Sequence, residues 1–190
     1  MISNFKKNVK LAPYTTFKIG GDAKYFFNAR TKKDLIEAIK KAKEIKIPFF
    51  ILGGGSNILI SDKGFPGLVI RFLGSDFKIR NSEVFAESGI SFSKLANECA
   101  KRGLSGLEWA AGIYGTLGGA VRGNAGAFGG EIKDILEKAE IYDLKSDKIK
   151  TLNKSQCFFK YRESIFKKKE NLIIISVFLK LKKGEKNKIN

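Results

Sequence analysis

Short apolar runs around one amphipathic stretch predict a β-α-β unit at the start of the chain. In "DLIEAIKKAKEI" the apolar residues recur at helical spacing, at Leu35, Ile39 and Ala42. Thr31 with Asp34 three residues later resembles a capping box that starts the helix, and Pro48 is expected to end it. Apolar and aromatic runs predict strands at 24–29, 49–52, 58–61 and 68–73.

The pattern after residue 74 predicts a second unit with more strands than helices. "EVFAESG" (83–89) is typical of a strand, and a helical stripe that Gly103 terminates follows at Phe92, Leu95, Ala96 and Cys99. We expect a hairpin around "KSD", a short helix at 153–158, and strands at 137–144, 148–152 and 171–183. The sequence therefore predicts an α+β chain of two subdomains, 1–73 and 74–183, with a polar tail at 184–190.

Two glycine-rich loops interrupt these patterns. "ILGGGSNILI" (51–60) places three glycines between apolar runs, where backbone N–H groups can form a concave anion site, although a glycine hairpin explains three glycines equally well. Residues 112–132, "GIYGTLGGAVRGNAGAFGGEI", hold eight of the 20 glycines, and Thr116, Asn124 and many exposed amides would supply donors to a flat heteroaromatic ring. A long turn is the simple alternative. Two such loops fit a dinucleotide, with its pyrophosphate on one and its ring system on the other, but do not identify it.

Composition excludes several kinds of chemistry. The chain has no histidine, so Ser-His and Cys-His nucleophile pairs and histidyl attachment of a cofactor are impossible. Cys99 and Cys157 lie far apart, which suggests no metal site. The absence of a long apolar run and of a signal-peptide core predicts a cytoplasmic protein without membrane insertion. The net charge of +17 suggests the hypothesis of a nucleic-acid-binding protein. The lysines are scattered along the chain, however, so we expect no specific nucleic-acid partner.

Four motifs in register resemble the UDP-N-acetylenolpyruvoylglucosamine reductases, which make UDP-N-acetylmuramate for peptidoglycan. They are "APYTTFKIGG", "ILGGGSNILISDKGF", "GLEWAAGIYGTLGGAVRGNAGAFGGEI" and "FKYRESIF". The resemblance runs from about Leu11 to Leu181. It implies a non-covalent FAD-binding domain of the vanillyl-alcohol-oxidase / p-cresol-methylhydroxylase type, in which two α+β subdomains hold the flavin between them. It also implies NADPH as hydride donor and a UDP-sugar as substrate.

The resemblance assigns roles to individual residues. The pyrophosphate-binding turn would consist of Gly53, Gly54, Gly55, Ser56 and Asn57. The loops along the pyrophosphate and the isoalloxazine would contribute Gly112, Gly115, Thr116, Gly118, Gly119, Asn124, Ala125 and Gly126. Tyr161 and Arg162 match a Tyr-Arg pair at the substrate, and the arginine would be catalytic by stabilising enolate-like charge.

In that family a substrate-binding domain follows, with a proton-donor serine and a late glutamate. Nothing in these 190 residues matches either group, and neither role is assigned to Ser164 or Glu163. The expectation is an FAD domain with half of the active site. A truncated gene, an expressed fragment and a split enzyme completed by another chain all fit. The alternative function is a stand-alone or split FAD-binding module without turnover of its own.

Overall fold

The structure is a computed structural model that describes residues 4–184. The chain divides into two compact units, Met1–Gly74 and Ser75–Asn190. Each unit has its own sheet and is described by itself. The assignment of 1–73 and 74–183 as two FAD-binding subdomains stays a prediction. Of the polar tail predicted at 184–190, residues 185–190 lie outside the described residues.

Unit 1 is a four-stranded mixed sheet with one long helix. The elements are β1 (Lys6–Lys10), β2 (Asp22–Ala29), α1 (Lys32–Glu44), β3 (Phe49–Leu52) and β4 (Phe65–Phe72). The sheet order is β1-β2-β4-β3, with β1 antiparallel to β2 and the other two pairings parallel. The parallel strands therefore end at one edge of the sheet, and the first glycine loop begins there, directly after Leu52.

The predicted start of α1 is confirmed. The Asp34 N–H donates to Thr31 Oγ1 at 3.1 Å, and Asp34 Oδ2 accepts from the Thr31 N–H at 3.0 Å, which satisfies two N–H groups at the helix start. These bonds outweigh desolvation and lower the pKa of Asp34. The stripe of apolar side chains that was expected to face inward is buried, at Leu35, Ile39 and Ala42.

The strand expected at 58–61 is wrong, because this segment is a loop. Its alternating apolar residues, Ile58 and Ile60, pack against a buried cluster that contains Phe26 and Val69. The alternation therefore comes from covering one face of the sheet and not from strand pairing. The polar strand β1, whose burial is slight, was missed because it has no apolar face to give a pattern.

Unit 2 is built on a five-stranded antiparallel sheet. Its strands are β5 (Phe77–Arg80), β6 (Glu83–Glu87), β7 (Leu104–Ser105), β8 (Gly126–Ala127), β9 (Gly130–Glu131), β10 (Leu136–Asp143), β11 (Lys148–Asn153), β12 (Leu172–Lys180) and β13 (Lys182–Lys183). The order in the five-stranded sheet is β11-β10-β12-β6-β5. Its helices are α2 (Phe92–Lys101), α3 (Leu117–Arg122), α4 (Ile132–Ile135) and α5 (Ile165–Lys168). The expected hairpin is β10–β11, and the helix expected at 153–158 is a 3₁₀ turn, Lys154–Cys157.

The core of unit 2 forms where the helices cover the sheet. The predicted stripe of α2 is fully buried, at Phe92, Leu95, Ala96 and Cys99. Gly103 has φ +67° after the helix, as expected of a glycine that ends it. Burial raises the pKa of the Cys99 thiol to about 12 and that of Cys157 to about 11, so neither is a thiolate at neutral pH.

Between residues 4 and 184 there is no helix with the length and apolar character needed to span a membrane.

Candidate functional site

The first glycine loop, residues 53–57, leaves the carboxyl end of β3. Gly55 has φ +70°, and a Cβ there would overlap the carbonyl oxygen of Tyr14. The Thr16 N–H also donates to the carbonyl of Gly55, at 3.0 Å. Only glycine can adopt this backbone so close to a neighbouring segment, so Gly55 is explained by the fold alone.

The rest of this loop is available to a ligand. Gly54 and Asn57 are exposed, and Gly53 and Ser56 are half-buried. Within the described part of the chain, no backbone hydrogen bond uses the N–H groups of Gly54, Gly55 or Asn57. Successive N–H groups without backbone acceptors can receive an anion. The loop therefore has the features of a phosphate cradle, and the hairpin alternative is wrong because the next strand, β4, pairs with β3 in parallel.

The second segment contains glycines that the fold itself requires. A Cβ on Gly118 would lie 2.8 Å from the Ser88 Cβ, and one on Gly126 would lie 2.7 Å from the carbonyl oxygen of Gly130. A Cβ on Gly130 would overlap the ring of Trp109. In each case the neighbour is part of the same unit, so close packing accounts for these three glycines.

Gly112 and Gly119 have no such internal explanation. A Cβ on Gly112 would meet nothing within 4 Å, and one on Gly119 would come no nearer than 3.6 Å to Thr116 Oγ1. Neither residue has a positive φ. An alanine at either position would therefore cause no clash inside the protein. At Gly119, which lies in a helix, an alanine would also remove the unfavourable free energy of a helical glycine. A ligand that lies against this backbone is a physical reason to keep both positions bare.

The helix α3 begins inside the glycine-rich segment, where the sequence suggested a loop with many exposed amides. Its first N–H groups are already used. Leu117 donates to Ile90 O at 3.0 Å, Gly118 to Ser88 O at 2.8 Å, and Gly119 to the Thr116 hydroxyl at 3.4 Å. Thr116 is thus the N-cap of α3, and the start of the helix offers few free donors.

Asn124 is buried and holds the segment together. Its Nδ2 donates to Glu131 Oε2 at 2.8 Å and to Lys160 O at 2.9 Å, and its Oδ1 accepts from the Lys133 N–H at 2.9 Å. Both side-chain donors expected to face a ring are therefore occupied inside the protein. The half-buried Ala125 follows, and its N–H donates to Ala120 O at 2.8 Å. These two residues shape the segment from within.

Arg162 lies beside this segment. Its Nη2 donates to Gly126 O at 2.9 Å, and its φ of +54° places it in a tight turn closed by mutual backbone hydrogen bonds of Lys160 and Glu163. The guanidinium carbon is 5.9 Å from the ring centre of Tyr161, a side chain that is 80% exposed. The structure therefore brings the predicted Tyr-Arg pair next to Gly126, across 36 residues of sequence.

Glu131 is a part of this site that sequence reasoning missed. The Lys133 ammonium, with help from the Asn124 amide and the Arg162 charge, lowers the pKa of the Glu131 carboxyl. A permanent carboxylate thus lies near the arginine. No motif in the sequence signals it, because its role depends on the buried Asn124.

Ser164 and Glu163 each have a partner inside unit 2. Ser164 is fully buried, and its hydroxyl donates to Arg122 O at 2.6 Å. Glu163 pairs with Lys168 at 3.0 Å. The hydroxyl and the carboxylate thus stabilise the turn that presents Arg162.

Comparisons with known proteins place these features in a family. A family model described as "FAD binding domain" matches residues 23–153. A relative from Caldicellulosiruptor bescii named UDP-N-acetylenolpyruvoylglucosamine reductase is 42% identical over 175 residues, which is 92% of this chain and 55% of the relative. The chain therefore spans little more than half of that relative's length.

Solved structures agree with this match. The crystal structure of UDP-N-acetylenolpyruvylglucosamine reductase from Thermus caldophilus has a TM-score of 0.84 and 33% identity, over 97% of this chain and 65% of that one. Cholesterol oxidase from Brevibacterium sterolicum, at 14% identity and a TM-score of 0.65 over 95% of this chain and 37% of that one, shares the fold alone. These findings confirm the α+β fold of the vanillyl-alcohol-oxidase type and the resemblance to the reductases. The chain belongs to the FAD binding domain family.

Proposed function

We propose that this chain holds FAD without a covalent bond, as the flavin-binding part of an NADPH-dependent reductase that converts UDP-N-acetylenolpyruvoylglucosamine to UDP-N-acetylmuramate. The support from the comparisons is the match to reductases over most of this chain. The support from the residues present is the open backbone at Gly112 and Gly119, where a Cβ would meet no atom of the protein closer than 3.6 Å. When bound, FAD supplies the two-electron transfer from NADPH to the enolpyruvyl double bond.

The two glycine-rich segments have different parts in this proposal. The loop at 53–57 would bind the pyrophosphate by donating hydrogen bonds from its backbone N–H groups. The N–H groups of Gly54, Gly55 and Asn57 are available for this because they have no backbone acceptor among the described residues. The open backbone at Gly112 and Gly119 would lie against the planar ring system, whereas the φ of +132° at Gly115 is itself a reason for glycine there. Asn124 and the Thr116 hydroxyl stabilise the conformation of this backbone through hydrogen bonds inside the protein. We therefore assign them this supporting role and not the direct contacts to the ring that their polarity suggested.

The observation that carries the catalytic part is the hydrogen bond from Arg162 Nη2 to Gly126 O. It holds a permanent cation at the edge of the glycine-rich segment. Reduction of the enolpyruvyl group places enolate-like negative charge on the substrate carboxylate, and a fixed cation stabilises that charge as it develops. Tyr161, exposed beside the guanidinium, is positioned to contact the substrate.

The test joins this chain to the portion of the Caldicellulosiruptor bescii relative that it does not cover. NADPH oxidation that depends on the sugar nucleotide is then followed with the parent, Arg162→Ala, and Arg80→Ala as the control. Arg80 is an exposed arginine on β5. We expect sugar-dependent turnover that Arg162→Ala lowers by about 100- to 1000-fold, as when one donor to a developing oxyanion is removed.

The outcomes separate the alternatives. Equal loss in both variants would contradict the role of Arg162. A chimera that binds FAD but never oxidises NADPH would contradict the reductase proposal and support a flavin-binding module.

A further inference from the structure

A second cation, Arg71, lies in unit 1 with no partner for its charge. It is half-buried near the carboxyl end of β4. Within residues 4–184, no hydrogen bond or salt bridge uses its side chain. Its one recorded interaction is with Tyr14, whose ring centre is 5.5 Å from the guanidinium carbon. Among the described residues, only Asn28 Oδ1 is a buried side-chain polar atom without a partner, so the Arg71 guanidinium nitrogens are not sealed from solvent and can receive an anion.

The sheet register puts Arg71 beside the first glycine loop. Leu52 on β3 and Asn28 on β2 are its Cα partners on either side. Register partners point to the same face of a sheet, and Gly53 follows Leu52 directly. Asn28, Arg71 and Leu52 therefore form one row across the carboxyl ends of the parallel strands, at the place where the loop begins.

Tyr14 connects the arginine to the loop a second time. Its ring lies 4.7 Å from that of Phe26, which is buried in the sheet, so its position is fixed. Its carbonyl oxygen packs directly on Gly55. One residue therefore contacts the guanidinium with its ring and the glycine loop with its backbone. This arrangement limits where the Arg71 side chain can go.

Asn28 adds an independent observation. Its Oδ1 is buried and has no hydrogen-bond partner in the described part of the chain. A buried acceptor without a donor is unfavourable, because it has lost its hydrogen bond to water without gaining another. An acceptor of this kind next to an unpaired guanidinium fits a ligand that brings both an anion and a hydroxyl group, as the phosphates and ribose of a nucleotide do.

We propose that Arg71 is the side chain that binds the diphosphate of the dinucleotide at the 53–57 loop, with Tyr14 holding its guanidinium in place. The proposal rests on the proposed function, since it assigns a further residue to the same FAD. The loop offers backbone dipoles, and Arg71 adds a full charge in a planar fork that matches phosphate oxygens. The positive charge makes the site selective for the phosphates of the ligand.

The test measures FAD affinity of the full chain by titration calorimetry in the parent, Arg71→Gln and Arg71→Lys. Arg80→Gln removes the same charge from an exposed strand and is the control. We expect Arg71→Gln to weaken FAD binding by roughly 10- to 100-fold, because hydrogen bonds to charged groups contribute about 1.5–3 kcal/mol. Arg71→Lys, which keeps the charge but not the fork, loses less and retains the fold. Arg80→Gln leaves the affinity unchanged.

Salt separates a phosphate contact from a packing role. Raising salt from about 0.1 M to about 1 M shortens the Debye length from about 10 Å to about 3 Å. Parent affinity should therefore fall with salt and approach that of Arg71→Gln. Equal FAD affinity of the parent and Arg71→Gln, or a loss of the same size at every salt concentration, overturns the proposal.

ADP is the second probe, and it separates this proposal from the proposed function. If the parent binds ADP but not FAD, the flavin function fails, and Arg71 keeps its role only if Arg71→Gln weakens ADP binding. A folded parent that binds neither nucleotide overturns both.

Discussion

Gly119→Ala gives the sharpest test of the bare backbone in α3, because it should act in opposite directions on stability and on FAD binding. The added Cβ comes no closer than 3.6 Å to any neighbour, so it fits the protein without strain. Alanine also loses less conformational freedom than glycine on entering a helix. The free protein should therefore become slightly more stable.

The size of each effect follows from the structure. Gly119 lies in the first turn of α3, where we take the low end of the helical penalty of glycine, about 0.5 kcal/mol. That raises Tm by about 1–2 °C for a chain of this length. A methyl group that occupies space needed by a bound ring costs about 1–3 kcal/mol, as overpacking does in a core. FAD affinity should then fall by roughly 5- to 150-fold.

Two measurements on the same preparations suffice. Thermal unfolding of the flavin-free chain reports stability, and a titration with FAD reports affinity. Gly118→Ala is the matched control, since its Cβ would lie 2.8 Å from the Ser88 Cβ and must disturb the core. We expect that variant to melt earlier than the parent even without flavin.

A Gly119→Ala variant that binds FAD as tightly as the parent would refute the reasoning. The open face of Gly119 would then be ordinary surface, and the glycine-rich segment would have no demonstrated contact with a ring there.

Three further predictions follow from neighbouring features. Gly54→Val should weaken FAD binding and leave Tm nearly unchanged. Gly55→Ala should lower Tm, because φ is +70° and a Cβ would overlap the backbone of Tyr14. The same change in Tm and in FAD affinity for both variants would contradict this difference. The Lys150 ammonium and nearby donors hold the pKa of Asp143 below its ordinary 3.8, so its stabilisation is complete above that value and is lost as pH falls below it. The difference in Tm between the parent and Asp143→Asn should shrink as pH is lowered through this range; a constant difference would count against it. Ser164→Ala should lower the free energy of unfolding by about 1–3 kcal/mol in urea titrations, and no change would show that its buried hydrogen bond is unimportant.

Local patterns in the sequence predicted the elements whose causes are local. The capping box at Thr31 and the stripe of α2 depend on residues within one or two turns, and both are confirmed. The hairpin between β10 and β11 likewise follows from adjacent strands and a polar turn. In these cases the nearest neighbours in sequence are also the interaction partners.

Features that depend on distant contacts were missed or misassigned. Nothing local indicates that Asn124 gives both N–H groups to Glu131 and Lys160, so its polarity suggested a ligand contact. The alternating apolar residues at 58–61 suggested a strand. They instead pack on one face of the sheet, and the local sequence cannot show this because that face is assembled from three separate strands. α3 was missed because its glycines conceal a six-residue helix that Thr116 caps.

The candidate site divides along the same line. The motifs found Arg162, the loop at 53–57 and the glycine-rich segment, which are continuous in sequence. They gave no sign of Arg71, because its connection to the loop runs through the sheet register and through Tyr14. Gly55 and Gly119 look alike in sequence, but the reasons for glycine differ between them. Only Gly55 has a neighbour that excludes a side chain.

The most direct test of the central claim is a titration of the flavin-free 190-residue chain with FAD, followed by acid denaturation. Binding can be followed by flavin fluorescence and by the emission of Trp109, which is the single tryptophan of the chain and packs on Gly130. We predict saturable binding of one FAD per chain and complete release of intact FAD into the acid supernatant, because no histidine is present for histidyl attachment and both cysteines are buried thiols. A chain that is folded by circular dichroism but binds no FAD, or one that retains flavin after denaturation, would contradict the account.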